Sequence, residues 1–492
     1  MKRLALGLVG ATGGLLLLVL GRTLWATPTD PAQTVPVEHA LNRDRIVEHL
    51  SAAIRIPTIS HEDPAQRRSE PFANFVSWVA HTYPDIEAAL EKRLFGHTML
   101  YIWPGSNPDL QPILLTGHYD VVPIDPSSAD DWLHPPFAGV VADGSIWGRG
   151  TLDDKSGVVG ILEAVSYLLA RDFKPSRTVY LSFGHDEEIS GHAGAGAVAA
   201  YLAKEKVRLA WSLDEGSFLL DGLIPGIHRP VAVINLAEKG DLTLELRAKG
   251  AGGHSSMPPK QTAVGTLARA LVKLQEHPMP GGLEGLAQHM FADLTPHMDF
   301  FPRVFFANQW LFSPLIVQQL EGSPTTNAIL RTTIAPTVLR GSPKANVLPS
   351  EALALVNFRL HPRDSSASVT HRVKELLQSD ALEVHVRESK EPSPVSSSQA
   401  EGFQVIRRAV REVYGPVPVA PGLMVGGSDS RHYGKVADNA YRFNPFPVTA
   451  EDIDGFHGTN EHLRVDYLLK GIQSYIQILH HAAGTTAASA GQ

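Results

Sequence analysis

Residues Thr178–His192 read TVYLSFGHDEEISGH. The first six are an apolar run of strand length. It stops at Gly184, and His185, Asp186, Glu187 and Glu188 follow at once. In an open α/β sheet, ligands gather at the carboxyl ends of the strands, so a buried strand that runs into ionisable side chains marks both a sheet and a site. The pattern recurs on either side. Ile113–Thr116 leads to His118 and Asp120, and Leu209–Leu213 leads to Asp214 and Glu215, while Thr98–Trp103 is a further β-rich run. Between them Gly157–Ala170 (GVVGILEAVSYLLA) is apolar enough for a helix packed on a sheet, and Asn42–Ile54 and Ser69–Tyr83 carry helical periodicity. Strands alternating with helices predict an α/β domain with a mainly parallel sheet.

The pattern changes after Glu238-Lys239-Gly240. Leu242–Ala248 alternates as a half-wetted strand should, Thr262–Gln275 is an amphipathic helix, and Leu330–Leu339 and Ala352–Leu360 alternate again. A helix at Val369–Gln378 and a strand at Leu382–Val386 complete the order strand, helix, strand, strand, helix, strand. That order predicts an inserted α+β, ferredoxin-like satellite over residues 239–391. The catalytic α/β domain is then split into residues 42–238 and 392–482, with a linker at 27–41 and a tail at 483–492. Within the insert, Gly281–Thr326 reads as an irregular, aromatic-rich excursion that supplies packing or a lid.

The chain has 492 residues, 43% hydrophobic and 19% charged, and a net charge of -8. No basic, aromatic-interleaved cluster is present, which excludes a nucleic-acid face. With no cysteine, any metal has to be held by His, Asp and Glu. Met1-Lys2-Arg3 precedes an uncharged stretch, Leu4–Gly21, followed by bulky Leu24 and Trp25. Residues 1–26 are therefore expected to be a signal anchor or signal peptide, the anchor favoured. The rest of the chain is then membrane-anchored or secreted, on the non-cytoplasmic side.

Five clusters carry the chemistry. His118 and Asp120, two apart in extended chain, point the same way, as a structural pair or as a metal ligand with its orienting acid. Asp153 and Asp154 lie in a Gly-flanked turn before a helix, where one can cap the helix or a cation can neutralise both. Glu187 and Glu188 are neighbours whose side chains diverge, so one can ligate while the other moves a proton. Asp214 with Glu215, and His457 in a Gly-bracketed loop, complete a hard-ligand set for two zinc-like ions.

The ordered set TGHYDVVP (116–123), GRGTLDDKSG (148–157), GHDEEISG (184–191), DEG (214–216), GGHSSMP (252–258), NVLP (346–349), NFRLHP (357–362), GGSDSRHY (426–433) and HGTNE (457–461) closely resembles the zinc aminoacylase and carboxypeptidase family that includes carboxypeptidase G and carboxypeptidase S. The resemblance runs from about Arg45 to about His480. It is nearest to the subgroup of carboxypeptidase S and the N-fatty-acyl-amino-acid synthase/hydrolases, through GHDEE, EKGDLTLEL (238–246), NQWLF (308–312) and TNAILRTT (326–333). It implies a zinc-exopeptidase-like catalytic domain holding two Zn2+, one on His118 and Asp214, the other on Glu188 and His457, with Asp153 bridging and a cis Asp153–Asp154 peptide. By the same resemblance Asp120 orients His118, Glu187 is the general base and His254 steadies the oxyanion, often from the partner subunit of a dimer. Arg359 grips the substrate carboxylate, and Asn346 and Gly427 line the pocket.

The function these residues imply is hydrolysis, or the reverse formation, of the amide bond of small N-acyl amino acids with a free carboxylate. A Gly-X carboxypeptidase or dipeptidase acting on short peptides is the nearest alternative, and a catalytically silent, membrane-tethered binding protein a remote one. The substrate is in each case a small molecule or short peptide, and a homodimer is compatible with the resemblance.

Overall fold

A computed structural model describes residues 2–27 and 35–484, with the side chains of residues 2–9 left aside. Most of the linker's first half and nearly all of the tail expected at 483–492 lie outside the described residues.

The main sheet has ten strands. From one edge they run Glu91–Phe95, Thr98–Trp103, Val179–Gly184, Ile113–His118, Leu209–Asp214, Ala437–Arg442, Val231–Glu238, Leu219–Leu220 and Pro447–Val448. Val419–Met424 pairs with Val231–Glu238 off this path. The central pairings, 179–184 with 113–118, 113–118 with 209–214, and 209–214 with 437–442, are parallel, and the 91–95 edge is antiparallel. The sheet is thus mixed and parallel at its centre. Every residue of 113–118 and 179–184 is buried, which is why these strands read as continuous apolar runs rather than as alternation. Helices Lys155–Leu169 and Val465–Ala483 cover one face, closing a core that includes Leu115, Leu181, Val158, Leu162, Ile472 and Tyr475.

A second sheet is built from Gly240–Lys249, Thr333–Arg340, Glu351–Leu360 and Leu382–Lys390, all antiparallel. In space the second of these strands comes first, then the third, the first and the fourth. Helices Ala263–Glu276 and Ser366–Leu377 pack on one face through Leu267, Leu274, Val369 and Val373. The alternation in 351–360, exposed to buried residue by residue, is that of a sheet with one wet side.

The 281–326 excursion departs from expectation. It is helical, with segments Leu286–Leu294, Phe300–Ala307, Gln309–Glu321 and Pro324–Leu330. It packs against the main sheet: Met290, Phe291, Leu294 and Ile316 share a core with Val231, Val233 and Ala420. Pro296, Pro302 and Pro314 interrupt the amphipathic pattern often enough to disguise four short helices as irregular chain.

Lys2–Trp25 forms a helix, but no helix among the described residues is long and apolar enough to cross a membrane. The expected membrane anchor therefore has no support there, and its first residues belong to the part whose side chains are left aside.

Candidate functional site

The site forms where the central strands end. His118 is the last residue of its strand, Glu187 and Glu188 follow the strand 179–184 in a short 3-10 turn, and Asp214 ends 209–214. Asp153 reaches the same place from the turn before helix 155–169, across an Asp153–Asp154 peptide that is cis, as the resemblance implies. Asp154 is turned inward. Its carboxylate occupies the room left by two absent side chains, since a Cβ at Gly117 or Gly157 would lie 2.5 or 2.4 Å from an Asp154 oxygen, and it accepts a hydrogen bond from the Asn444 amide.

Asp153 is the centre of the arrangement. His118 Nε2 is 2.9 Å from its Oδ1 and His457 Nε2 is 2.9 Å from its Oδ2, so one carboxylate serves two histidines. Two groups of metal-ligating atoms result: His118, Asp153 and Glu215, and Asp153, Glu188 and His457. The second brings together three of the residues singled out in the sequence, as atoms that could hold an ion. In the first, the structure brings in Glu215 where Asp214 was expected. Asp214 lies beside it, with Oδ1 accepting the Glu215 N–H and Oδ2 buried without a hydrogen-bond partner.

Burial pushes the Asp214 carboxyl up to about 6 and Glu215 well above the ordinary range. Burial works against a charged His118, but the hydrogen bonds to Asp120 and Asp153 outweigh it and raise the imidazole well above its ordinary value. His457 is raised to about 10, chiefly by its hydrogen bond to Asp153. Histidines held this strongly by carboxylates mark a concentration of negative charge suited to a divalent cation. The orphaned Asp214 Oδ2 and Glu188 Oε1, both buried, fit the same reading.

Asp120 anchors this end of the sheet. His118 Nδ1–H donates to its backbone carbonyl at 3.0 Å and stands 3.4 Å from its Oδ1. The Asp120 carboxylate accepts the backbone N–H of Glu187 and of Glu188, and the Ser60 hydroxyl. The acid thus aligns His118 and holds the Glu187-Glu188 turn by its backbone. Glu187 belongs to neither metal group. Burial lifts its carboxyl to about 8, and Arg431 donates to it at 3.2 Å. Asp186 shapes the turn by accepting the Ala193 N–H, and His185 pairs with the Thr98 hydroxyl.

The other expected residues lie elsewhere. His254 is exposed, beside Ser256, and its short strand Gly253–His254 pairs with Val347–Leu348; Asn346 accepts the Ser255 N–H with its backbone carbonyl. Arg359 is half exposed on strand 351–360, with Nε 3.4 Å from Asp241. The partners of all three are within the satellite, and the structure does not bring them to the acid–histidine cluster. Gly427 is close to it, for a Cβ there would meet the Arg431 guanidinium at 2.6 Å.

Sequence reasoning missed four residues, the partly buried Arg431 and the buried Asp429, Arg149 and Glu461. All stand inside motifs read for other members. Glu461 accepts the N–H groups of Gly150, Leu152 and Asp153 and an ion pair from Arg149 at 2.6 Å, while Arg149 also donates to Gly458 O. This latch ties the Asp153 turn to the His457 loop. Replacing Glu461 by Ala leaves the buried Arg149 without its counter-charge and three N–H groups without their acceptor, and about 3–5 kcal/mol of stability is expected to be lost in a urea titration. A variant within 1 kcal/mol of the parent would show that the latch is dispensable.

The family model for peptidase family M20/M25/M40 matches residues 114–481. An N-fatty-acyl-amino acid synthase/hydrolase, PM20D1, of Xenopus tropicalis is 41% identical over 445 residues, 89% of this chain and 86% of that protein. A probable carboxypeptidase S-like protein of Dictyostelium discoideum is 34% identical over 479 residues, 95% and 92% of the two chains. Among solved structures, an M20 family metallo-carboxypeptidase from Sulfolobus solfataricus superposes with a TM-score of 0.61 at 19% identity, covering 88% of this chain and 98% of that one. With the metal-ligating groups at the strand ends, these matches show that the chain belongs to peptidase family M20/M25/M40 and is a metal-dependent hydrolase.

Proposed function

We propose that the protein hydrolyses, and in the reverse direction forms, the amide bond of N-fatty-acyl amino acids bearing a free carboxylate, at a site for two zinc ions. The observation that carries the two-ion reading is the Asp153 carboxylate, shared oxygen by oxygen between His118 and His457 at 2.9 Å each. His118 and Asp153, with either Asp214 or its neighbour Glu215 as the further acid, would hold one ion; Asp153, Glu188 and His457 would hold the other. When bound, such ions would polarise the scissile carbonyl and acidify a bound water.

The chain's own residues do the rest. Glu187, partly buried and with its carboxyl lifted to about 8, takes the proton of the attacking water and hands it to the leaving nitrogen. Asp120 keeps the His118 ring and the Glu187 backbone in register. His254 and Arg359 are assigned to the oxyanion and the substrate carboxylate, with Asn346 and Gly427 as pocket residues. From their places in the satellite, His254 and Arg359 act by domain closure or from a partner subunit. The enzyme is assigned to the non-cytoplasmic side on the strength of its N-terminal sequence.

The fatty-acyl preference is supported by the relatives that bear that activity in their names, while the carboxypeptidase S-like relatives support peptides. A panel of N-fatty-acyl amino acids, N-acetyl amino acids and Gly-X dipeptides, with and without chelator, separates the two. Each buried CH2 contributes about 0.8 kcal/mol, so kcat/KM is expected to be at least about 100-fold higher for the long acyl chain than for acetyl, and to vanish with chelator. Equal or better turnover of dipeptides would establish the peptidase reading instead.

A further inference from the structure

Among the described residues, the helix Lys2–Trp25 is held to the rest of the chain through a stripe near its C-terminal end. Val19 and Thr23 are buried against helix Phe300–Ala307, the Asn308 amide donates to Val19 O and Thr23 Oγ1, and Arg22 Nε donates to Ala307 O. Around that stripe most of the described residues from 10 to 25 are exposed. Leu15, Leu16, Leu17 and Leu18 are 40, 58, 74 and 51% exposed. Successive residues step about 100° around a helix, so these four leucines point in all directions.

The apolar surface continues onto the excursion. Phe300, Phe301 and Phe305 are exposed on the helix that receives the stripe, and Trp310, Leu311 and Leu315 on helix Gln309–Glu321. Trp25, 89% exposed, stands at the junction. A groove of about 810 Å³ opens there, lined in part by Trp25, Leu283, Phe306 and Trp310.

The geometry selects the occupant. A folded partner or a second copy covers one side of a helix, whereas leucines bare on every side need a surrounding apolar phase. The charges agree. Lys2–Trp25 contains no acid, and its basic Arg22 stands one turn from the exposed Trp25, at the end of the helix that a phosphate headgroup would meet. Trp25 and Trp310 are the ring type that favours the boundary between the two.

We propose that the N-terminal helix and the exposed faces of helices Phe300–Ala307 and Gln309–Glu321 together form a docking surface for a phospholipid layer, so that the catalytic domain lies against the lipid instead of hanging from a tether. The proposal goes beyond the substrate reading and does not rest on it, since a peptide-cleaving enzyme would dock in the same way.

The absence of cysteine makes a clean test available. The full chain carries one introduced thiol, from Phe301→Cys, Leu315→Cys or Leu339→Cys, labelled with a polarity-sensitive dye. Leu339, 63% exposed on satellite strand Thr333–Arg340, is the control. Vesicles of phosphatidylcholine and phosphatidylglycerol are expected to shift the emission to the blue at positions 301 and 315 and to leave 339 unchanged. The triple variant Phe301→Ser, Trp310→Ser, Leu315→Ser is expected to partition onto the vesicles at least about tenfold more weakly. Its hydrolysis of a short soluble substrate should stay at the parent level, which shows that it is folded. Vesicle binding with no shift at 301 or 315, an equal shift at 339, or no binding at all would overturn the proposal. So would shifts that appear without vesicles and grow with protein concentration, which would identify a second copy as the occupant.

Discussion

Glu187→Gln is expected to lower kcat by about a thousandfold while the zinc content per chain stays at the parent value. The two halves of that result separate base from ligand. Glu187 is in neither metal group, whereas its neighbour Glu188 is in one. Its backbone N–H is held by Asp120 whatever its side chain, and an amide oxygen can still accept from Arg431 as the carboxylate does. What the amide cannot do is take and return a proton. Turnover and bound zinc measured on the same preparation decide the matter: near-normal turnover with metal in place would remove Glu187 from the mechanism.

Asp153→Asn is expected to empty both positions at once and reduce activity to background. Asp153 stands between two imidazoles, and an amide presents each of them with a weaker or wrongly charged neighbour. By contrast, Asp214→Asn and His457→Asn should each lower zinc from two to about one per chain, since each touches one position. The same measurement distinguishes Asp214 from Glu215. If Glu215→Gln loses an ion and Asp214→Asn keeps both, the ligand is the acid that the fold places in the group and not the one expected from the motif. Retention of two ions by Asp153→Asn would refute the bridge.

Much of this site could be read in the sequence because it sits at strand ends. A buried strand that stops at His118, at Glu187-Glu188 or at Asp214 advertises itself, since burying an ionisable group beside an apolar run is costly unless it is paired. What could not be read is side-chain direction after the strand has ended. Asp214 and Glu215 are adjacent, and which of them turns toward His118 depends on how the chain leaves the sheet. Arg431 and Glu461 were in plain view in GGSDSRHY and HGTNE, but their partners, Glu187 and the Asp153 turn, are far away in sequence. Strand Val231–Glu238, buried along its whole length, gave no alternation by which to recognise it. Strands Gly240–Lys249 and Glu351–Leu360 of the second sheet did alternate and were visible for that reason, whereas His254 and Arg359 show how a motif can name a residue without locating it.

The latch between Arg149 and Glu461 has a bearing on how the enzyme is made. It joins groups 312 positions apart, and His457 reaches Asp153 across 304. During synthesis the Asp153 turn leaves the ribosome long before the residues that hold it, so a nascent chain carries half a metal centre for most of its translation. Full loading of the proposed two-ion site is therefore expected to follow release of the whole polypeptide. A chain stopped before His457 is expected to capture at most one weakly held ion, measurable as zinc retained after gel filtration.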